Sequence, residues 1–183
     1  MKGYLYITWA APIAAAGFLI FAPALKAVEV PDSEHVNKLL SEAKTMAFQL
    51  KEDAEIMESF TRSTASWETH AVQINLIKDH INELGKQETK LKEARAEGAP
   101  WQKAAIDRIT PFLDELEGYT MAVIEHVNAT PKRLNTAEYK DYLEANADYA
   151  GDLAAMISNF VTYGRTKERM EKLTDKLELP VSR

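Results

Sequence analysis

Cysteine is absent from all 183 residues, and that one absence removes several chemistries together. Disulfides, thiolate metal sites, covalently attached c-type haem and lipid attachment through sulfur are excluded. A chain of this kind, once exported, is held together by packing alone. Glycine and proline are scarce, seven of each, and alternating β-branched runs are nearly missing after the N-terminal segment, so strands have little support. Basic charge is also short: 22 Lys and Arg against 28 Asp and Glu leave a net charge of −6 and a pI near 5.3. Nucleic acid demands a basic surface that displaces counterions, so it is not an expected partner. No Ser-His-Asp arrangement, Gly-rich phosphate loop or zinc-protease motif occurs, and the expectation is a protein that is not an enzyme.

Apolar residues are plentiful, at 46%, enough for a packed core in one domain. The longest uncharged run lies at the start. Tyr4 to Leu25 covers 22 residues without a charge, after the short positive start of Met1-Lys2-Gly3. Two readings compete for it. Ala22-Pro23-Ala24 supplies the small-x-small site of a cleavable secretory signal, whereas the length suffices for a retained membrane anchor. Both place the remainder outside the cytoplasm, in the periplasm or extracellular space, with residues 4–25 as the membrane contact in the anchored form. The chain divides accordingly into a signal peptide or anchor (1–27), a linker (28–32), a helical domain (33–179) and a short tail (180–183).

Four amphipathic stretches fill the domain, and the spacing predicts helices over 33–62, 66–97, 100–128 and 135–178. The first alternates fours and threes through Val36, Leu40, Ala43, Ala47, Leu50, Ala54 and Met57, with Asp32 or Ser33 as cap and Pro31 just before it. The second carries Trp67, His70, Ile74, Ile77, Ile81, Leu84 and Leu91 on its seam. The third opens at Pro100 and shows Ala105, Ile109, Phe112, Leu116, Tyr119, Val123 and His126, with Pro111 as an expected kink. The fourth is the longest. Its main stripe is Tyr139, Tyr142, Tyr149, Leu153, Met156, Phe160, Tyr163, Met170 and Leu177, widened by Leu143, Ala150, Ile157 and Val161.

Short loops between four helices favour an antiparallel up-down-up-down four-helix bundle, all-α throughout. Folding the fourth helix back at the loop near residue 132 sets Gly164 opposite Pro100. Residues 165–178 then overhang by roughly 20 Å, from a rise of about 1.5 Å per residue. This extension holds six Lys or Arg and four Asp or Glu between residues 165 and 183, a balance of +2 against −6 for the chain. Met170, Leu173 and Leu177 give it an apolar edge, the pattern expected of a helix that meets a protein partner or a second copy.

The stretches Pro111-Phe-Leu-Asp-Glu-Leu116, Ile124-Glu-His-Val-Asn128, Glu138-Tyr-Lys-Asp-Tyr-Leu143 and Phe160-Val-Thr-Tyr-Gly-Arg-Thr166 resemble a group of uncharacterised exported helical-bundle proteins common in acidobacteria. The resemblance covers about residues 32–178 and implies export and a helical fold, with no activity or site residues attached. In architecture the chain is also similar to cytochrome b562-like and cytochrome c′-like bundles, though it lacks the Cys-x-x-Cys-His of the latter.

Hairpin arithmetic brings one constellation together. His70 falls level with His126, and Met57, Glu58, Glu138, Tyr139 and Tyr142 reach the same level from the first and fourth helices. Met57, His70 and His126 are a donor set for b-type haem, and Glu58, His70, His126 and Glu138 one for a divalent metal. The plainer reading is favoured: the layer sits at a bundle end, where imidazoles share hydrogen bonds with carboxylates and tyrosine hydroxyls. His35 and His80 read as surface or capping groups, and the tyrosine stripe as core with its hydroxyls at the rim. The sequence thus points to a structural or protein-interaction role, with a cofactor-binding bundle as the alternative.

Overall fold

The computed structural model describes residues 30–178; the proposed signal or anchor of residues 1–27 and the tail from residue 180 lie outside them. The described residues form four long helices and no strand: α1 Glu34–Ser59, α2 Trp67–Ala94, α3 Pro100–Ala129 and α4 Ala137–Lys176. Tight 3-10 turns, Phe60–Arg62 and Arg95–Glu97, finish α1 and α2. Each start follows from a side chain that satisfies an otherwise orphaned backbone donor. Ser33 accepts from the Val36 amide, Ser66 from Thr69 and Thr136 from Tyr139. At α3, Pro100 takes the first position and the Gln102 carboxamide oxygen reaches back to the Ala99 amide at 2.8 Å.

The helices pack around one core, α1 against α2 and α4, and α3 against α2 and α4. Both helices of the α1–α4 pair bury small residues, Ala43, Ala47 and Ala54 on α1 and Ala150 and Ala154 on α4, all at most 1% exposed. Short side chains at a contact let helix axes approach closely. Leu40, Leu50, Leu84, Leu91, Leu116 and Leu153 fill the space between them, each contributing about 1.5–3 kcal/mol on burial.

Two seams differ from the expectation, and by the same rotation. On α4 the buried row is Tyr139, Leu143, Asn146, Ala150, Leu153, Ala154, Ile157, Val161 and Gly164, whereas Tyr142, Tyr149, Met156 and Phe160 are only partly covered. The row expected to widen the stripe is its centre. On α3 the buried set is Gln102, Ala105, Ile106, Ile109, Leu113, Leu116, Thr120, Val123 and Val127. Phe112, Tyr119 and His126 move to the flank. Steps of four and three run unbroken from Gln102 through Ile106, Ile109, Leu113, Leu116, Thr120, Val123 and Val127, and Pro111 sits on the exposed face. The helix is continuous through that proline. Trp67 also departs from the expected seam, at 50% exposed, because as the first residue of α2 it lies at the rim of the bundle.

The end of the bundle at which α1 and α3 begin is fixed by two linked contacts. Gln102, wholly buried, donates from Nε2 to the Ser33 carbonyl and to Asn37 Oδ1, both at 2.9 Å, and accepts on Oε1 from the Ser33 amide at 3.0 Å. Asp32 Oδ1 accepts from Trp101 Nε1 at 2.9 Å and from Lys167 Nζ at 2.8 Å. Trp101 in turn lies on Gly164, where an added Cβ would stand 2.7 Å from the indole Cη2. Gly164 is therefore the last position of α4 sealed inside the bundle, and α4 runs on for a further 12 residues to Lys176.

The glycines make a direct check. Gly118 has nothing within 4 Å of a built Cβ, so Gly118→Ala should stabilise the fold by about 0.5–1 kcal/mol through helix entropy. Gly164→Ala gains the same term and meets the indole, and overpacking costs about 1–3 kcal/mol. Thermal melts should therefore move in opposite directions, up for Gly118→Ala and down for Gly164→Ala.

Candidate functional site

At the opposite end, where α2 and α4 begin, the structure brings His70 and His126 to one tyrosine. His70 is 2% exposed, and Tyr139 beside it is fully buried. Ser66 caps α2 and Thr136 caps α4, and these caps set both side chains within the first turn of their helices. His70 Nδ1 lies 2.8 Å from the Tyr139 hydroxyl, and Phe60 meets the imidazole edge-on with ring centroids 5.0 Å apart. His126 stacks on the other side of Tyr139, centroids 4.8 Å apart.

Burial governs the protonation of this layer. It pushes the Tyr139 hydroxyl well above its usual range, so the phenol keeps its proton. It pushes the His70 imidazole below its usual 6.5, because the cation would lose hydration without gaining an anion. A neutral imidazole and a neutral phenol therefore share one hydrogen bond. His126 is turned toward the α3–α4 loop. Its Nε2 stands 3.1 Å from the Arg133 carbonyl, which only accepts, so the ring donates there and holds the loop in place.

The remaining members of the expected layer are not brought together. Glu58 is engaged by the Arg62 guanidinium at 2.6 and 2.9 Å on the surface of α1. Glu138 accepts from the Tyr142 hydroxyl at 3.2 Å, also at the surface. Met57 is 1% exposed and packs in the core. Among the described residues, no three His, Asp or Glu side chains are placed to hold a metal ion. For a haem or metal, His70 and His126 each have one ring nitrogen already committed. An open cleft of about 330 Å³ lies over the layer, lined by Phe60, Trp67, His70, Leu134 and the hydroxyls of Ser63 and Thr64. Its lining holds no carboxylate, so it suits a small neutral or anionic group better than a cation.

His80 corrects the reading of it as a surface or capping group. Its Nδ1 lies 2.6 Å from Asp53 Oδ2, with the two side chains 25% and 14% exposed. The contact is close in distance but not directed as a hydrogen bond, since neither atom has a partner of good angular geometry. Asp53 Oδ1 also accepts from Gln73 at 3.2 Å. Neither Gln73 nor the other buried amides stood out in the sequence, because a lone Gln at a seam position carries no motif. His35 pairs with Glu97 at 3.2 Å in the open.

The third group of expected residues lies on the overhang. Met170, Leu173 and Leu177 are 59%, 42% and 61% exposed, one edge of α4 beyond Gly164.

Two measurements test the His70 layer. Tyr139→Phe leaves His70 Nδ1 buried without a partner, which should cost about 1–3 kcal/mol, read by chemical denaturation at pH 7.5. For pH dependence the sign follows from the lowered folded pKa: above 6.5 neither state is protonated, and below it the unfolded state binds a proton that the folded state refuses. The stability that His70 allows is thus complete above 6.5 and falls as the pH drops below it. His70→Gln should flatten that part of the curve. Comparison of this chain with protein-family models, with curated proteins and with solved structures finds no match in any of the three.

Proposed function

We propose that the chain is an exported or membrane-anchored helical-bundle protein whose role is structural, through contact with another protein, and not catalytic. The observation that carries this reading is the exposed apolar edge of Met170, Leu173 and Leu177 on a helix that has already left the bundle. The turns beyond Gly164 continue an already formed helix but lack the tertiary packing that normally supplies most helical stability. A partner that covers this edge provides the missing packing.

Supporting features come from both ends of the molecule. Contacts between neighbouring helices run in opposite order: Gln87 meets Leu39 and Glu42, and Gln73 meets Asp53. Likewise Thr120 meets Asn146, and Trp101 meets Gly164. These reversals support the up-down-up-down arrangement, in which the overhang and the chain preceding α1 leave from the same end. The Asp32–Lys167 contact joins the two at their roots. Among the described residues no helix is long and apolar enough to cross a membrane, so in the anchored form the span is residues 4–25. The similarity to exported helical bundles noted from the sequence fits the same assignment. Glu58 and Glu138 are engaged at the surface by Arg62 and Tyr142 and are not brought to the two imidazoles, which favours the structural role over the haem or metal alternative.

Replacing Met170, Leu173 and Leu177 together with Glu tests this. Thermal melting should stay within about 1 kcal/mol of the parent, since surface substitutions away from packed features usually cost under 0.5 kcal/mol each. Association should be lost, as read by light scattering for a soluble form and by pull-down from membranes for an anchored one. A bundle that unfolds on this change, or association that survives it, contradicts the proposal.

A further inference from the structure

The exposed edge of the overhang continues, along the same face of α4, into a groove. Met156, Phe160, Tyr163, Met170 and Leu177 fall at steps of three, four and seven, so one apolar strip runs from the body of the bundle to the tip of the helix. In the body the strip is one wall of an open trough of about 640 Å³ between α3 and α4. Trp101, Ala104 and Phe112 form the facing wall, with Arg108 and Asp152 among its lining. The trough is largely apolar, and it ends at the root of the overhang, where Trp101 meets Tyr163 with ring centroids 5.3 Å apart.

The overhang cannot fill its own trough. α4 is continuous to Lys176, so Met170 and Leu177 point away along the axis and would need a break in the helix to return. A second copy can fill it. We infer that two copies pair about a twofold axis near Gly164 and Arg165, each laying its overhang into the α3–α4 trough of the other. This rests on the interaction role proposed above and names the partner and the surface.

Three features select this occupant. The lengths agree: the overhang from Arg165 to Lys176 and the trough wall from Asp152 to Tyr163 each span about 18 Å at about 1.5 Å per residue. The register agrees, because a twofold at that point sets Met170 against Phe160 and Leu177 near Asp152 and Leu153. The charges also agree. A total of −6, with +2 on residues 165–183, leaves −8 on the rest of the chain. A basic extension is therefore drawn onto the acidic body of a neighbour and not onto a second basic extension. An interface that uses the same two patches on both copies closes on itself, giving a dimer and no filament.

The absence of native cysteine makes the test clean. Ala104→Cys, on the exposed trough wall, and Met170→Cys, on the overhang, are introduced into separate full-length chains, mixed and oxidised. Within one chain these positions are too far apart for a disulfide, which needs Cα atoms within about 7 Å. The inference expects a disulfide that joins one chain of each kind, and a light-scattering mass twice 20.6 kDa for the unmodified protein. Ala104→Arg, which fills the trough without entering the core, should weaken self-association at least tenfold with an unchanged melt. A monomeric protein overturns the inference, as does Met170→Cys that links to itself and not to Ala104→Cys. If association survives Ala104→Arg but is lost with the triple Glu variant, the overhang is an interaction element with a different docking surface. The proposed role then stands and this inference falls. If association survives the triple Glu variant as well, both fall.

Discussion

Buried hydrogen bonds set the register on which everything else here depends. A core of Ala, Leu and Ile tolerates sliding, because one methyl layer resembles the next and hydrophobic burial has no direction. Six polar residues are buried in this one, His70, Gln73, Gln87, Gln102, Thr120 and Asn146, and each of them has a partner. Gln73 and Gln87 tie α2 to α1, Gln102 ties α3 to α1, Thr120 donates to Asn146 across α3 and α4, and His70 meets Tyr139 across α2 and α4. On the remaining side the Thr110 hydroxyl donates to Glu88 between α3 and α2. A slip of one turn would strand several buried donors at once, at about 1–3 kcal/mol each. Polar pairing thus makes one alignment of the four helices far better than its neighbours.

With that alignment fixed, the two ends of the bundle acquire different characters. One end is closed by the His70–Tyr139 hydrogen bond, the stacking of His126 on Tyr139 and the bond from His126 to the Arg133 carbonyl. Its chemistry is inward and structural. The other end is closed by Gln102, and beyond it α4 continues, rooted by the Trp101 and Lys167 contacts to Asp32. The overhang is thus a consequence of register as well as of length. Moving α4 one turn toward its own N-terminus would place Gly164 away from Trp101 and leave an ordinary side chain where only a glycine fits beneath the indole.

Much of this was readable from the residues, and the failures share a cause. Asp32 or Ser33 marked the first helix start, where Ser33 proves to be the cap, and Pro100 marked the third, because helix starts obey local rules. Folding the sequence at its loops placed Gly164 beside the first turn of α3 and His70 level with His126, since helical rise is constant. The seams of α3 and α4 were less accessible. Large aromatic residues dominate any apolar stripe read by eye, yet Phe112, Tyr119, Tyr142 and Tyr149 lie on the flank, where their rings can pack and their hydroxyls stay wet. Leu113, Thr120 and Asn146 hold the centre. A Thr and an Asn at core positions look polar in isolation, and only their pairing across helices explains them. The His80–Asp53 contact was hidden for the same reason, since it joins positions on two helices.

The central claim is that packing of the bundle ends at Gly164 and that α4 beyond it is stabilised from outside. Native-state amide hydrogen exchange along α4, followed over a range of protein concentrations, tests this directly. The account predicts that residues 150–164 exchange only by global unfolding at every concentration. In dilute solution residues 166–176 should exchange orders of magnitude faster, then slow progressively as the concentration rises. Strong, concentration-independent protection through residue 176 would contradict it, because the last turns of α4 would then be held by the chain's own fold.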